Sequence, residues 1–442
     1  MNSPAPGATD AYGAFAEQRI RRVNIETYLN DMFRAGALEV TLPGGRRLTL
    51  GDGGPAEVAV KITGATTLPR IMAKRSLGVG EAYMDGRLTF ERGDIRDLLD
   101  LAGRNGVGKV TYPRPGPLKR GWARLKDEHN ARQAARRNVS HHYDLSVDFY
   151  RAFLDADLQY SCAYFERADM TLEEAQAAKK RHIAAKLALA DGQKVLDIGC
   201  GWGGMALALA TAADVAVQGV TLSDEQLAAA RARAAAADLA GRVSFSLTDY
   251  RDVTGRFDRI VSVGMFEHVG RPNYQAFFDL VSERLTDDGV ALIHSIGRFS
   301  GPSTTDAFTA KYIFPGGYIP ALSEVLPAVE RAGLMVTDIE ILRLHYAMTL
   351  RCWYERFRAR RAEMAEMYDE RFCRMWEFYL AGAEMGFTHG DHMNFQIQLS
   401  RRNDALPLTR DYIAEAEDAL SSAKPWRDES RPRRQAGRTA NA

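Results

Sequence analysis

Residues 195–204 read VLDIGCGWGG, and this stretch decides the fold. Val195, Leu196 and Ile198 form an apolar run of strand character. The run breaks into Gly199, Gly201, Gly203 and Gly204, and the alanine-rich stretch MALALATAA (205–213) has helical composition. Strand, glycine turn and helix bring backbone N–H groups and a helix N-terminus against a ligand. Glycine suits such a turn because a side chain blocks close approach and resists positive φ. The stretch predicts a site for a nucleotide-type cofactor.

Outward from this core, apolar and helical segments alternate, as a parallel sheet requires. Strands are predicted at 194–199, 215–222, 243–249, 259–266 and 289–296, with helices between them. After residue 300 come a loop, the segment TDIEILRLH (337–345), a long helical region from Cys352 to Phe387, and a final strand candidate, NFQIQLS (394–400). Upstream, ALEVTLPGGRRLTLGD (37–52) alternates around Pro43-Gly44-Gly45, a hairpin signal, and AEVAVKITG (56–64) is a third strand candidate. LPRIMAKRSLGVGEAYMDG (68–86) reads as a helix interrupted at Gly78 and Gly80, and DIRDLLDLAG (94–103) as a short helix ending at Gly103. The domain plan is a disordered N-terminus (1–15), a small α+β domain (16–108), a basic linker (109–140), a large α/β domain (141–423) and a disordered basic tail (424–442).

At 442 residues the chain is too long for one ordinary domain, and 46% apolar content is ample for cores. The formal charge of +1 excludes a polycation as a whole. Charge is local instead: residues 109–138 hold nine Lys and Arg against Asp127 and Glu128. That segment fits either a solvated linker helix or a footing on anionic headgroups, worth roughly 1 kcal/mol per basic residue. No aromatic nucleic-acid motif accompanies it, so no nucleic-acid partner is expected. Cys162, Cys200, Cys352 and Cys373 form no CxxC pair, which argues against zinc and a disulfide framework and fits a reducing cytosol. The start of the chain has no signal pattern, and no apolar run of about 18 residues is present. The expectation is a cytoplasmic protein that meets lipid only from the surface, peripherally, at the inner face of a membrane.

Gly199, Gly201 and Gly204 satisfy GxGxxG, so a nicotinamide site has to be weighed; alone, the match is weak. Asp197 lies two residues before the first glycine, where a carboxylate suits the ammonium of the methionyl group of S-adenosylmethionine. LTDDG (285–289), ahead of the fifth strand, is a turn typical of methyltransferase sheets. Both favour S-adenosylmethionine. The second strand of such sheets usually ends in an acid for the ribose hydroxyls. Here it ends at Thr221 and Ser223, with Gln226 a turn later, groups that make neutral hydrogen bonds.

HHYDLSVDFY (141–150), LQYSCAYF (158–165), VLDIGCGWGG, GVTLSDEQ (219–226), SVGMFEHVG (262–270), YIFPGGYIP (312–320), HYAMTLRCWYERF (345–357) and WEFYLAGAEMGF (376–387) together resemble the cyclopropane-fatty-acyl-phospholipid synthases and the related mycolic acid cyclopropane synthases. The resemblance spans about residues 60–400. It implies a Rossmann-like class I methyltransferase sheet with a helical cap insertion, plus the small N-terminal α+β domain. It implies methylene transfer from S-adenosylmethionine to the cis double bond of an unsaturated phospholipid acyl chain in a membrane. The base would be a bound bicarbonate held by Cys162, Glu267, His294, the backbone around Ile296, and Tyr346. Cofactor contacts would be Tyr160, Ser161, Asp197, Gly199, Gly201, Gly203, Thr221, Ser223, Gln226, Asp249 and Tyr250, with no metal.

Cys162 supplies a small polar group in this reading, since nothing marks it as a reactive thiolate. Tyr318, Tyr346 and Trp353 are aromatic faces for a nearby cation. Trp353, Phe357, Phe372, Trp376 and Tyr379 otherwise read as the apolar core of a helix. His268 reads as a weaker site residue than Glu267. Relatives with the N-terminal unit are associated with dimers, so a homodimer is a further expectation. Two other outcomes stay open: a methyltransferase that makes methyl-branched acyl chains, and a non-catalytic lipid-surface protein.

Overall fold

The structure is a computed structural model that describes residues 29, 30, 32–107 and 145–422. The segments 1–15, 109–140 and 424–442, with the basic linker and tail expected there, lie outside the described residues. In chain order the first elements are β1 (Ala37–Thr41), β2 (Arg47–Gly51), β3 (Val58–Ile62), α1 (Thr67–Lys74), α2 (Ser76–Met84), β4 (Leu88–Arg92) and α3 (Ile95–Arg104). Then come α4 (Val147–Arg151), α5 (Leu172–Lys186), β5 (Lys194–Ile198), α6 (Gly204–Ala212), β6 (Ala216–Thr221), α7 (Asp224–Ala236), β7 (Val243–Leu247), β8 (Phe257–Val263), α8 (Tyr274–Arg284) and β9 (Leu285–Arg298). The last are α9 (Ala307–Tyr312), α10 (Leu322–Arg331), β10 (Met335–Ile341), α11 (His345–Ala359), α12 (Arg361–Met367), α13 (Glu370–Thr388), β11 (His392–Ser400) and α14 (Asp411–Ser422).

The described residues fall into two units. One holds those up to 107 together with 365–390; the other holds 145–364 and 391–422. In the first unit the sheet runs β2-β1-β3-β4, with β1 antiparallel to β2 as the hairpin signal predicts and parallel to β3. β4 is the strand that the sequence did not announce. It has five residues at a sheet edge, too few for its alternation to stand out.

The predicted helical break at Gly78 and Gly80 lies elsewhere. It falls at Arg75, which takes φ 51° between α1 and α2. Gly78 serves packing instead: a Cβ there would sit 2.6 Å from Arg70 O and 2.8 Å from Ile71 Cα.

The same unit takes in α13, so the expected continuous domain 141–423 is interrupted. Arg96 donates to Glu384 through Nε (2.7 Å) and Nη2 (2.8 Å), Tyr83 Oη donates to Glu377 Oε2 (2.6 Å), and His389 Nε2 meets Asp100 Oδ1 (2.8 Å). The aromatic stripe divides accordingly. Trp353 and Phe357 are core of the second unit, while Phe372, Trp376 and Tyr379 belong to the first.

The second unit is built on a seven-stranded sheet of order β10-β11-β9-β8-β5-β6-β7. β7, β6, β5, β8 and β9 are parallel, and β11 is antiparallel to both β9 and β10. The parallel strands are apolar runs because helices cover both faces. One core layer gathers Leu196, Ile260, Phe277 and Phe395 on one face, and another Val195, Val217, Val261 and Leu292 on the other. α5 starts at Thr171, whose hydroxyl accepts from Glu174 N while Glu174 Oε2 accepts from Thr171 N, a capping box. α9 and α10 occupy the region after residue 300, where the sequence predicts a loop.

Candidate active site

The carboxyl ends of β5, β6, β7 and β8 converge on a cavity of about 180 Å³. Open α/β sheets bind ligands at this edge. Gly199 takes φ 77°, and a Cβ there would sit 2.8 Å from Met265 Cβ. Gly203 caps α6 at φ 83° with Phe245 Cζ 2.7 Å from where its Cβ would be. Gly203 therefore shapes the loop from behind, and Gly204 lines the wall in its place.

Tyr160, Ser161, Asp197, Gly199, Gly201, Thr221, Gln226, Asp249 and Tyr250, all expected at the cofactor, line this cavity. Ser223 does not. Its hydroxyl caps α7 by accepting from Gln226 N at 3.3 Å, so it acts through the placement of Gln226. Where an acid is usual, Thr221 Oγ1 donates to Gln226 Oε1 at 2.8 Å, which leaves the Gln226 amide N–H groups as donors. Asp249 is held by Arg251 through Nε (2.8 Å) and Nη2 (2.5 Å). Asp197 is 1% exposed, its Oδ2 is buried without a partner, and burial pushes its carboxyl up to about 7. A buried acceptor of this kind fits a ligand carrying an ammonium group. The wall of small, apolar and amide groups around it fits S-adenosylmethionine.

Helix α5 fixes the segment that carries Tyr160, Ser161 and Cys162. Gln176 Nε2 donates to Gln159 O (3.2 Å) and Ser161 O (3.0 Å), and Lys179 Nζ donates to Gln159 Oε1 (2.6 Å) and Ser161 Oγ (2.8 Å). Lys179 is fully buried, and desolvation brings its ammonium down to about 8. At the head of the segment Leu158 takes φ 57°, a strained backbone for a branched residue.

Cys162, Glu267, His294, Ile296 and Tyr346 are not among the residues lining that cavity; Cys162, His294 and Tyr346 are buried, and Glu267 and Ile296 are half-buried and hydrogen-bonded to each other. Glu267 Oε1 accepts from Ile296 N at 2.6 Å, and its Oε2 is buried without a partner. Burial pushes this carboxyl up to about 7. His294 lies two residues earlier on β9, on the same face as Ile296. Gln396, its cross-strand neighbour, donates Nε2–H to His294 Nδ1 at 3.1 Å, so the ring proton sits on Nε2. That Nε2 is also buried without a partner, and desolvation keeps the ring neutral. Gly264 N, on the cavity wall, donates to His294 O at 2.9 Å and ties the two regions together.

Cys162 is fully buried, with its thiol pushed well above its ordinary range by desolvation. Tyr346 meets Trp353 edge-on at 5.8 Å, and Trp353 stacks on Tyr160 at 5.1 Å. An N–H donor at His294 and a carboxylate acceptor at Glu267, both lacking partners, match an oxyanion that also carries a hydroxyl. That donor set fits bicarbonate.

Sequence reasoning understated His268, which lines the cavity with its ring held neutral by burial, pushed down to about 4. It missed Gln159, Trp202 and Lys179. For Gln159 the signal was available, since it directly precedes Tyr160 and Ser161.

The family model for mycolic acid cyclopropane synthetase matches residues 130–397. The chain belongs to the mycolic acid cyclopropane synthetase family. A domain of unknown function matches residues 25–110. Cyclopropane-fatty-acyl-phospholipid synthase of Escherichia coli K12 is 39% identical over 355 residues, 80% of this chain and 90% of that protein. Tuberculostearic acid methyltransferase of Mycobacterium tuberculosis is 38% identical over 340 residues, 71% of this chain and 76% of that protein. The crystal structure of mycolic acid cyclopropane synthase CmaA1 complexed with SAH and CTAB is 36% identical, with TM-score 0.57 over 60% of this chain and 97% of that one. This member of the cyclopropane synthetase family is thus an enzyme with the class I methyltransferase fold, an S-adenosylmethionine-dependent C-methyltransferase.

Proposed function

We propose that the protein is a cyclopropane fatty acid synthase acting on unsaturated acyl chains of membrane phospholipids. The observation that carries this reading is the two unpartnered buried atoms, Glu267 Oε2 and His294 Nε2: Glu267 is held by the Ile296 N–H, and His294 lies two residues before Ile296. When bound, S-adenosylmethionine supplies the methyl carbon that becomes the third ring carbon, and bicarbonate supplies a base for the proton that carbon must lose. Asp197, Thr221 and Gln226 bind and orient the first of these. His294 Nε2–H holds the anion, and the Ile296 N–H, given to Glu267 Oε1, orients that carboxylate toward it. Glu267 accepts its hydroxyl proton in a hydrogen bond and so fixes which oxygen faces the substrate. The aromatic faces of Tyr346, Trp353 and Tyr318 stabilise positive charge that develops on the acyl chain. Cys162 acts as a neutral, compact wall.

Among the described residues no helix is long and apolar enough to cross a membrane. The proposed enzyme works from the cytoplasmic side, at the membrane surface, with the 109–140 segment as one footing and a homodimer as its assembly. A second reading keeps the site and changes the product to a methyl-branched chain. The similarity to tuberculostearic acid methyltransferase favours it.

Mass spectrometry of lipids incubated with the enzyme and S-adenosylmethionine separates the two. Cyclopropanation adds the mass of one CH₂ and leaves no alkene; loss of a different proton adds the same mass and keeps an alkene, and a saturated methyl branch carries two further hydrogens that a reductant has to supply. Ozonolysis cleaves any alkene that remains and leaves the cyclopropane chain intact, and fragmentation in the mass spectrometer locates the ring. A product that keeps an alkene, or carries a methyl branch, overturns the cyclopropane assignment.

A further inference from the structure

Phe299 and Leu344 are large apolar side chains left 62% and 53% exposed. Single exposed apolar residues are ordinary; these two share a location. Phe299 follows the end of β9 and Leu344 follows the end of β10. Both strands are antiparallel to β11, so both end at the same sheet edge, the edge from which the glycine loop and Glu267 also project. Phe299 N donates to Asp391 O (2.8 Å) and Leu342 N donates to Asn394 O (2.7 Å). The two positions therefore flank the start of β11, about 10 Å apart by strand spacing.

Arg343, next to Leu344, is exposed and makes no ion pair or side-chain hydrogen bond among the described residues. Of the acids on this side, Asp391 is engaged by the Ser300 hydroxyl and Asp306 caps α9 by accepting from Phe308 N. Of the other exposed apolar groups, Leu247 ends β7 at the same edge but with β8, β5 and β6 between it and β9, Met335 and Val336 begin β10 at the opposite edge, and Leu408 follows the end of β11 there.

We propose that Phe299, Arg343 and Leu344 are the contact through which an anionic lipid surface docks on this edge and presents acyl chains to the site. The inference rests on the lipid substrate proposed above. Two bulky apolar groups beside an unpaired cation are the elements of an interfacial membrane contact: the apolar groups enter the acyl boundary and the cation stays at the headgroups. The position explains why the contact belongs here, since a lipid has to reach the site from the carboxyl edge.

The test is sedimentation of the full chain with vesicles of phosphatidylcholine alone or mixed with phosphatidylglycerol. The double substitution Phe299→Ser with Leu344→Ser is expected to weaken partition about tenfold or more. Arg343→Gln is expected to weaken it only on phosphatidylglycerol vesicles and to flatten the salt dependence. Leu408→Ser, at the opposite edge, should bind as the parent does, and S-adenosylmethionine affinity by calorimetry should be unchanged throughout.

Unchanged partition of the double variant overturns the proposal. So does a shift from dimer to monomer in that variant without lipid, which would assign the face to a second copy. A Trp at position 299 (Phe299→Trp) should blue-shift, in the difference spectrum against the parent, only on adding vesicles. A shift already present without lipid would assign the face to the chain's own 108–144 segment and also overturn it. Methyl transfer to detergent-dispersed unsaturated lipid reads the proposed function by itself, so its failure is distinguishable from failure of this contact.

Discussion

The Glu267 carboxylate and the Ile296 backbone are joined at 2.6 Å, Oε1 accepting from N–H, and this single bond turns the other oxygen of Glu267 into a buried, unshared acceptor. Glu267→Gln keeps an oxygen for Ile296 but puts an NH₂ donor where the acceptor stood. Turnover is expected to fall about a hundredfold or more, with S-adenosylmethionine affinity nearly unchanged. In the parent, burial holds the carboxyl up near 7, so activity should rise as pH passes through about 7 and the carboxylate forms. The variant should lose that rise. Calorimetry showing lost cofactor affinity would move Glu267 from the reaction to the cofactor.

Asp197, also held up to about 7 by burial, ties cofactor binding to proton release. An arriving ammonium favours the ionised carboxylate, so binding at about pH 6 should expel a proton. Calorimetry in two buffers of different ionisation enthalpy should detect it, and Asp197→Asn should abolish it. Buffer-independent heats would refute the pairing. The same raised values set a direction for stability. The folded, ligand-free protein keeps protons on Asp197 and Glu267 that the unfolded chain has already released. These two groups therefore lower stability progressively as pH rises from the ordinary carboxylate range to about 7.

Lys179 is expected to set an alkaline limit. Its ammonium, brought down to about 8 by burial, holds Gln159 and Ser161 by two hydrogen bonds. As it loses charge above that pH, the Tyr160–Cys162 segment loses a charged anchor, and activity should decline. Lys179→Met should lower kcat and cofactor affinity together and lack this decline. An alkaline limb that persists in the variant would assign it to another group.

How much of this was legible beforehand varied with the kind of signal. The parallel strands were readable because strands covered on both faces become unbroken apolar runs, as in Val195–Ile198 and Val290–Ile293. The glycine loop and Asp197 were readable because backbone geometry restricts the residue types allowed. Lys179 was not, since AQAAKKRH (175–182) has the look of a solvated helical face, yet Gln176, Lys179, Arg181 and His182 are all buried. Glu267 and His268 show a second limit. They are neighbours in a short 3-10 turn, where successive side chains diverge by about a third of a turn. One turns to Ile296 and the other to the cavity wall, a choice that spacing alone does not record.

The first unit offers a stability test. Glu384 is fully buried and answered by Arg96, which remains partly exposed. Arg96→Met would take the bidentate guanidinium away from a buried carboxylate, and denaturant unfolding should show a loss of about 3 kcal/mol. Adding Glu384→Leu should restore most of it. A double variant no more stable than the single one would mean that packing of α3 against α13, rather than charge, sets the cost.

The grouping of residues 365–390 with the first unit has a consequence for synthesis. That unit lacks α13 until the ribosome has passed residue 388, and the sheet lacks β11, hydrogen-bonded between β9 and β10, until it has passed residue 400. Neither unit has all its parts while most of the chain is being made. A nascent chain therefore waits with unfinished cores, exposed to chaperones and proteases. A fragment cut at the first apparent boundary, near residue 108, would carry β1–β4 and α1–α3 without the helix that answers Arg96 and Tyr83.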